Sequence, residues 1–223
     1  MASRPRLVSS SVGTKILIGA TGTALVIYLI IHIVGNLLIF LGPDVFNRYA
    51  YILEGNPLIP VIEIGLLLIF LLHVLKTVRM FLDNQQARPV RYAKKAYAGP
   101  PSRKSLASST MIVSGLWLLL FVIIHVKAFR FGVEYPWPAG GRDLYRIELE
   151  NFTSPLIVGF YILSMLIVGS HLWHGISSAA QSLGADHPGW TPRIILAGKS
   201  LAVLIAGGFI VIALWAHLTG ARG

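Results

Sequence analysis

Five long apolar stretches run through this chain, at about 16–41, 61–82, 110–131, 155–181 and 194–217. A helix needs about 20 predominantly apolar residues to cross the ~30 Å hydrocarbon core of a bilayer. The stretches are continuous rather than alternating, which argues for helices and against barrel strands. In lipid a helix satisfies every backbone N–H and C=O internally, so such stretches have few other fates. The expected fold is all-α: a membrane-embedded bundle of five transmembrane helices in a single domain spanning 1–223. The composition agrees. Of the 223 residues, 55% are hydrophobic and 13% charged, against about 25% charged in soluble domains. The first stretch is too long for a signal-peptide core and lacks a small-residue cleavage site after it, so it is expected to be retained.

The net charge of +10 is not a nucleic-acid signature once the charges are placed. Arg4, Arg6 and Lys15 precede the first span, and Lys76, Arg79, Arg88, Arg91, Lys94, Lys95, Arg103 and Lys104 follow the second. Asp44, Glu54, Glu63, Glu134, Asp143, Glu148 and Glu150 fall on the other side. The positive-inside rule then puts the N-terminus in the cytoplasm and the C-terminus outside. The basic segment 88–104 can serve topology and anionic lipid, or the docking of a soluble partner. Loop 42–60 carries turn signals at Gly42-Pro43-Asp44 and Asn56-Pro57. Loop 132–153 has the length, aromatic content and mixed charge of an ordered cap. No internal repeat or low-complexity segment is apparent.

Four histidines lie deep inside four of the apolar spans: His32, His73, His125 and His171. An ionisable side chain at bilayer depth is costly and marks function by default. Imidazole is a standard axial ligand of haem iron. His32 and His125 lie about 16 and 15 residues into spans that start inside, about 24 Å from the cytoplasmic edge. His73 and His171 lie on spans that start outside, about 12 and 16 residues in, which places them in the inner half. The ligands sort into two layers, His32 with His125 and His73 with His171, and two stacked haem b groups are expected. The chain has no cysteine, which excludes both a cysteine-ligated iron–sulfur cluster and covalent Cys-x-x-Cys-His haem attachment. Each histidine taken alone has a plainer reading as a hydrogen-bonded packing residue. Four sorted by depth do not.

Other residues carry alternatives. His174 is one turn from His171 and shares its face, so it can replace it as ligand or bond a propionate or another helix. His187 is in a loop, and His217, at the outer end of span five, reads as interfacial. Gly35 and Gly175 lie on ligand faces, where they admit a flat macrocycle or serve ordinary small-residue packing. Lys76 and Arg79 are placed for inner propionates and Lys127 and Arg130 for outer ones; snorkelling is the alternative. Glu63, after Pro60, can pass protons between a quinone and the outer phase, or be a plain interfacial charge. Ser9, Ser10, Ser11 and Lys15 open span one at the inner end, a second candidate for quinone contact.

Several motifs resemble the cytochrome b subunit of succinate dehydrogenases and fumarate reductases, in the single-chain, five-helix, di-haem group. They are His32-Ile33-Val34-Gly35-Asn36 on the first span, and His73 and His125 on the second and third. Most specific are Ser154-Pro155-Leu156, Gly159-Phe160-Tyr161, His171-Leu172-Trp173-His174-Gly175 and Gln181-Ser182-Leu183-Gly184. In the family's pattern the first histidine of the His171 motif binds haem, while position 174 is asparagine in some relatives. The resemblance implies a flavoprotein and an iron–sulfur protein on the cytoplasmic face. Electrons would pass through this anchor to menaquinone or ubiquinone, and the complex can assemble into a higher oligomer. The chain itself has no site for succinate. Two other readings stand beside this one: a di-haem cytochrome b of a hydrogenase, formate dehydrogenase or nitrate reductase, and a histidine-based proton-coupled transporter. The transporter would need carboxylates at mid-span, and no span has an Asp or Glu near its centre.

Overall fold

In the computed structural model, which describes residues 10–87 and 105–220, the chain is all-helical; the extended pairing among the described residues is a single bridge between Pro136 and Arg142. The first crossing is α1 (Ser11–Asn36), continued by a 3-10 turn over Leu37–Leu41. Ser10 caps α1, accepting a hydrogen bond from the Gly13 N–H at 3.0 Å. Gly42, at φ +95°, ends the run, a conformation that favours glycine. The other crossings are α3 (Ile59–Gln86), α5 (Met111–Phe129), α7 (Pro155–Ser182) and α8 (Thr191–Gly220). Pro60 and Pro155 sit in first turns, where a missing N–H costs nothing. A single turn, α4 (Leu106–Ser109), precedes α5 and is closed by a capping box between Ser105 and Ser108.

α1, α3 and α8 begin or end several residues beyond the apolar stretches, because helical hydrogen bonding continues where hydropathy has already fallen, whereas α7 matches its stretch to within a residue and α5 is slightly shorter than its own. α1 starts at Ser11 rather than near 16, and α8 ends at Gly220 rather than near 217. The stretch 42–60 is not a plain turn-rich loop. It holds α2 (Pro43–Glu54), with Pro43 at its first position and Asp44 in its first turn. Likewise 132–153 holds α6 (Leu144–Asn151), capped by Asp143, whose side chain accepts from the Arg146 N–H.

These two short helices lock together into a cap over one end of the bundle. Asn47 is fully buried between them; it donates to Asp143 Oδ1 and accepts from the Tyr145 N–H, both at 2.8 Å. Arg142 pairs with Glu54 at 2.9 Å and donates to the Phe129 carbonyl. Phe46, Ile147 and Phe152 are buried beneath. The ordered cap expected from the composition of 132–153 is present.

Within the bundle, α7 packs closely on α8, α1 on α3 and α7, and α5 on α7. Small residues permit this approach. A Cβ on Gly198 would come 3.0 Å from Ile176 Cγ2, and one on Gly169 3.1 Å from Ala206 Cβ. The core gathers Ile33, Phe121, Tyr161, Met165, Leu172 and Ile205. Leu67, Leu68, Leu75, Leu166 and Leu204 face outward, and α3 buries no residue at all. So much apolar surface would aggregate in water and suits lipid. With five helices long and apolar enough to cross a bilayer, this is an integral membrane protein.

Candidate functional site

Four of the five crossings carry the histidines, and each ring has a polar neighbour at Nδ1. On α3, His73 Nδ1 lies 3.1 Å from Thr21 Oγ1 of α1. On α7, His171 Nδ1 lies 2.9 Å from Ser114 Oγ of α5. Both hydroxyls also lie within bonding distance of carbonyls on their own helices. Thr21 donates to the Leu17 carbonyl at 2.7 Å and Ser114 to the Met111 carbonyl at 3.0 Å. With those bonds made, each hydroxyl oxygen is an acceptor for its histidine, an arrangement that goes with the ring proton on Nδ1. In that tautomer Nε2 keeps its lone pair, the arrangement in which a histidine serves as a metal ligand. Gly22 and Gly115 follow the two hydroxyl residues. A Cβ there would meet His73 Cε1 at 3.2 Å and His171 Cε1 at 3.7 Å.

His32 and His125 face each other nearer the cap. Their ring centroids are 5.9 Å apart and nearly perpendicular, at 81°. Two imidazoles on one metal, with bonds of about 2.0–2.1 Å, would hold their centroids roughly 6 Å apart. Aromatic rings enclose the pair. Tyr28 stacks on His32 at 5.3 Å and Phe121 on His125 at 5.5 Å, while Phe209 lies 5.5 Å from His32 and Phe129 5.1 Å from His125. Tyr161 OH is 3.4 Å from His125 Nδ1 and can accept its proton. His32 differs, because its neighbour is the Asn36 amide nitrogen at 3.3 Å, a donor that also reaches the His32 carbonyl at 2.8 Å. That contact favours the ring proton on Nε2. Ligation through His32 therefore requires the Asn36 carboxamide to turn.

The two layers are built from a repeated pattern that was not apparent in the sequence. On α1, Thr21-Gly22 contacts one histidine, Tyr28 stacks on another, and His32 follows eleven residues after Thr21. On α5, Ser114-Gly115, Phe121 and His125 occupy the same intervals. Tyr28-Leu29-Ile30-Ile31-His32 and Phe121-Val122-Ile123-Ile124-His125 align without gaps. Each unit continues through a cap helix into a second crossing bearing His73 or His171. Eleven helical residues separate the layers by about 16 Å along the axis. No family model, curated protein or solved structure matches this chain.

Other sequence candidates sort as follows. Glu63 and Arg130 form an exposed pair with each other at 3.1 Å. Lys127 is exposed at the cap end of α5; Lys76 is half-buried and Arg79 exposed on α3, one and two turns beyond His73. Gly35 is covered by Tyr49, whose hydroxyl a Cβ would meet at 2.6 Å, so helix packing accounts for it. Gly175 has only Met111 Cε within reach, at 4.0 Å. His174 is half-buried within electrostatic reach of His171. His187 accepts from the Gly189 N–H, and His217 Nδ1 donates to the Phe152 carbonyl at 2.8 Å. Ser11 opens α1 and is exposed. Ser9 and the basic residues Arg88 to Lys104, with Lys94 and Lys95, lie outside the described residues.

Among the described residues no three His, Asp or Glu side chains gather as a metal cluster. A metal held here would take two protein ligands, with the other positions filled by a macrocycle. Sequence reasoning missed Thr21, Ser114, Tyr28, Phe121 and Glu148. Tyr161 and Asn36 lay within motifs already singled out.

Proposed function

We propose that this chain is a di-haem cytochrome b that anchors a succinate:quinone oxidoreductase in the membrane and passes electrons between an iron–sulfur subunit and quinone. The observation that carries the reading is the disposition of His32, His73, His125 and His171. His32 and His125 lie ring to ring, His73 and His171 each meet a hydroxyl of a neighbouring helix at Nδ1, and aromatic or glycine surfaces lie beside the rings. The sequence motifs supply the choice of family. Iron with two imidazole axial ligands has no open position and supplies one-electron transfer rather than oxygen chemistry.

The chain's own residues have defined parts in this scheme. Thr21 and Ser114 hold the inner rings in the Nδ1–H tautomer. Tyr28 and Phe121 restrict rotation of the outer rings, and the cap excludes water from the outer pair. Of the cationic candidates for propionates, Lys76, Arg79 and Lys127 have no ion pair among the described residues, whereas Arg130 is taken up by Glu63. By the positive-inside rule the cap end faces outward, and the flavoprotein and iron–sulfur subunits dock on the opposite, cytoplasmic face.

The test is a pyridine haemochrome assay on the purified full chain, with two low-spin b haems expected per chain. Co-purification of a flavoprotein and succinate-dependent quinone reduction would follow. One haem or none on well-folded protein overturns the di-haem reading. Two haems with a hydrogenase, formate or nitrate partner would move the chain to another quinone-linked complex.

A further inference from the structure

One buried acid has no part in the scheme above. Glu148 is 7% exposed, and no hydrogen bond or ion pair engages its carboxylate among the described residues. It stands on the inward face of α6, one turn before Phe152, whose backbone N–H it accepts. Phe152 in turn crosses the Tyr161 ring at 4.9 Å, and Tyr161 OH lies 3.4 Å from His125 Nδ1. Tyr161 is within electrostatic reach of Glu148. The acid is therefore buried on the side of the cap that faces the His32–His125 pair, with the side chains of Phe152 and Tyr161 leading on to His125.

The charges around it are all committed elsewhere or turned away. On α6 itself Arg146 pairs outward with Glu150, and Asp143 caps the helix and receives Asn47 from α2. Also from α2, Glu54 holds Arg142, whose Nη2 is shared with the Phe129 carbonyl at the end of α5. At that end of α5, Lys127 is exposed and Arg130 pairs with Glu63. From α7 comes Tyr161, and from α8 His217, whose Nδ1 proton goes to the Phe152 carbonyl. None offers Glu148 a counter-charge. Burial alone pushes its carboxyl up to about 7, so it titrates in the neutral range.

We propose that Glu148 takes up a proton when an electron arrives at the His32–His125 site. One proton from the aqueous phase at the cap end joins the carboxylate to give the carboxylic acid, and it returns when the electron leaves for quinone. The inference rests on haem at that pair. Its physical basis is linkage: an added electron disfavours the nearby carboxylate, and by reciprocity the carboxylate disfavours the electron. Low dielectric around the cap keeps the coupling from being screened.

The test is a redox titration of both haems in the full chain at several pH values from 6 to 8. The midpoint of one haem should fall as pH rises. In Glu148→Gln that dependence should vanish while the other haem keeps its own. A redox-induced infrared difference spectrum of the unaltered protein checks the same point without a variant: a protonated-carboxyl band should gain intensity on reduction. Two haems with an unchanged pH dependence in Glu148→Gln, or no such band, overturn this inference and leave the di-haem reading intact. A folded chain without haem overturns both.

Discussion

A histidine's role is decided by where its proton sits, and here that is set by residues on other helices. Thr21 and Ser114 bond carbonyls of their own helices and meet the Nδ1 atoms of His73 and His171, which suits hydroxyl oxygens that accept the ring protons. Thr21→Val and Ser114→Ala should each leave haem bound but reduce its retention on the inner histidines by about 10–100-fold, the usual effect of losing an outer-shell partner. Replacing His73 or His171 should remove the inner haem, replacing His32 or His125 the outer one, and His174→Ala should keep both. Haem titration with optical spectra reads each case, and loss in His174→Ala with retention in His171→Ala would reverse the ligand choice. Glu148 makes a second prediction, through stability. Its folded pKa, about 7, lies above the ordinary 4.5. The folded state therefore holds the proton more tightly, and stability is lost as pH rises from about 4.5 through about 7, then levels off. Glu148→Gln removes that loss. Its advantage over the unaltered chain in detergent should be about 2–3 kcal/mol larger at pH 8 than at pH 5, and an advantage independent of pH would show that the carboxyl is not buried as a neutral acid. The four histidines were plain in the sequence because apolar neighbours advertise them. Their partners were not, since a hydroxyl in a membrane helix looks the same whether it bonds its own carbonyl or a ring 52 residues away, as Thr21 and His73 are.

At the scale of elements, hydropathy located the crossings but had nothing to say about the cap. α2 is short and polar on one side, so the turn signals at Gly42-Pro43 and Asn56-Pro57 stood for it in the sequence, whereas the composition of 132–153 pointed to an ordered cap without locating α6. Those turn signals mark the flanks of α2. The periodicity was still there to find: Leu144, Ile147, Glu148 and Phe152 share one face of α6, and an acid among apolar residues at that spacing was the legible sign of a buried carboxylate. The duplicated unit was hidden for another reason. Its matches are few and partly conservative, Tyr28 for Phe121 and Thr21 for Ser114 beside the shared Gly22/Gly115 and His32/His125, in a background where any two apolar spans look alike. The cap's cohesion depends on Asn47. Asn47→Leu fits the buried volume but leaves the Tyr145 N–H without its acceptor, at a cost of about 1–3 kcal/mol. Hydrogen exchange should accelerate over 144–151 and stay unchanged over α7. Equal protection of α6 in the variant would mean the apolar contacts of Phe46, Ile147 and Phe152 hold the cap unaided.

Across the whole molecule, charge bias and the two histidine layers combine into a direction. By the positive-inside rule the basic N-terminus would face the cytoplasm and the cap the other side, and the His32–His125 pair lies next to the cap. On the proposed reading, a redox centre at that pair has a purpose if quinone reacts at the outer end. Glu63 is the acid best placed for the proton that such a reaction exchanges, at the start of α3, while the serines that open α1 lie at the inner end. The sequence left Glu63 as either a proton carrier or an interfacial charge, and the structure adds its partner, Arg130, at 3.1 Å. Both side chains are about half exposed, at 45% and 49%, so the pair contributes little to stability. Two substitutions separate its possible roles. Glu63→Gln keeps size and hydrogen bonding but removes the proton acceptor. Arg130→Gln breaks the same pair and leaves the carboxylate in place. If Glu63 carries the proton, Glu63→Gln should slow quinone turnover at least tenfold, with both haems present and dye-linked succinate oxidation intact, whereas Arg130→Gln should retain most of its turnover. Equal losses in the two variants would reduce the pair to a structural tie. Normal turnover in Glu63→Gln would move quinone to the inner end, beside Ser11 and Lys15, where the outer haem could take no part in reaching it.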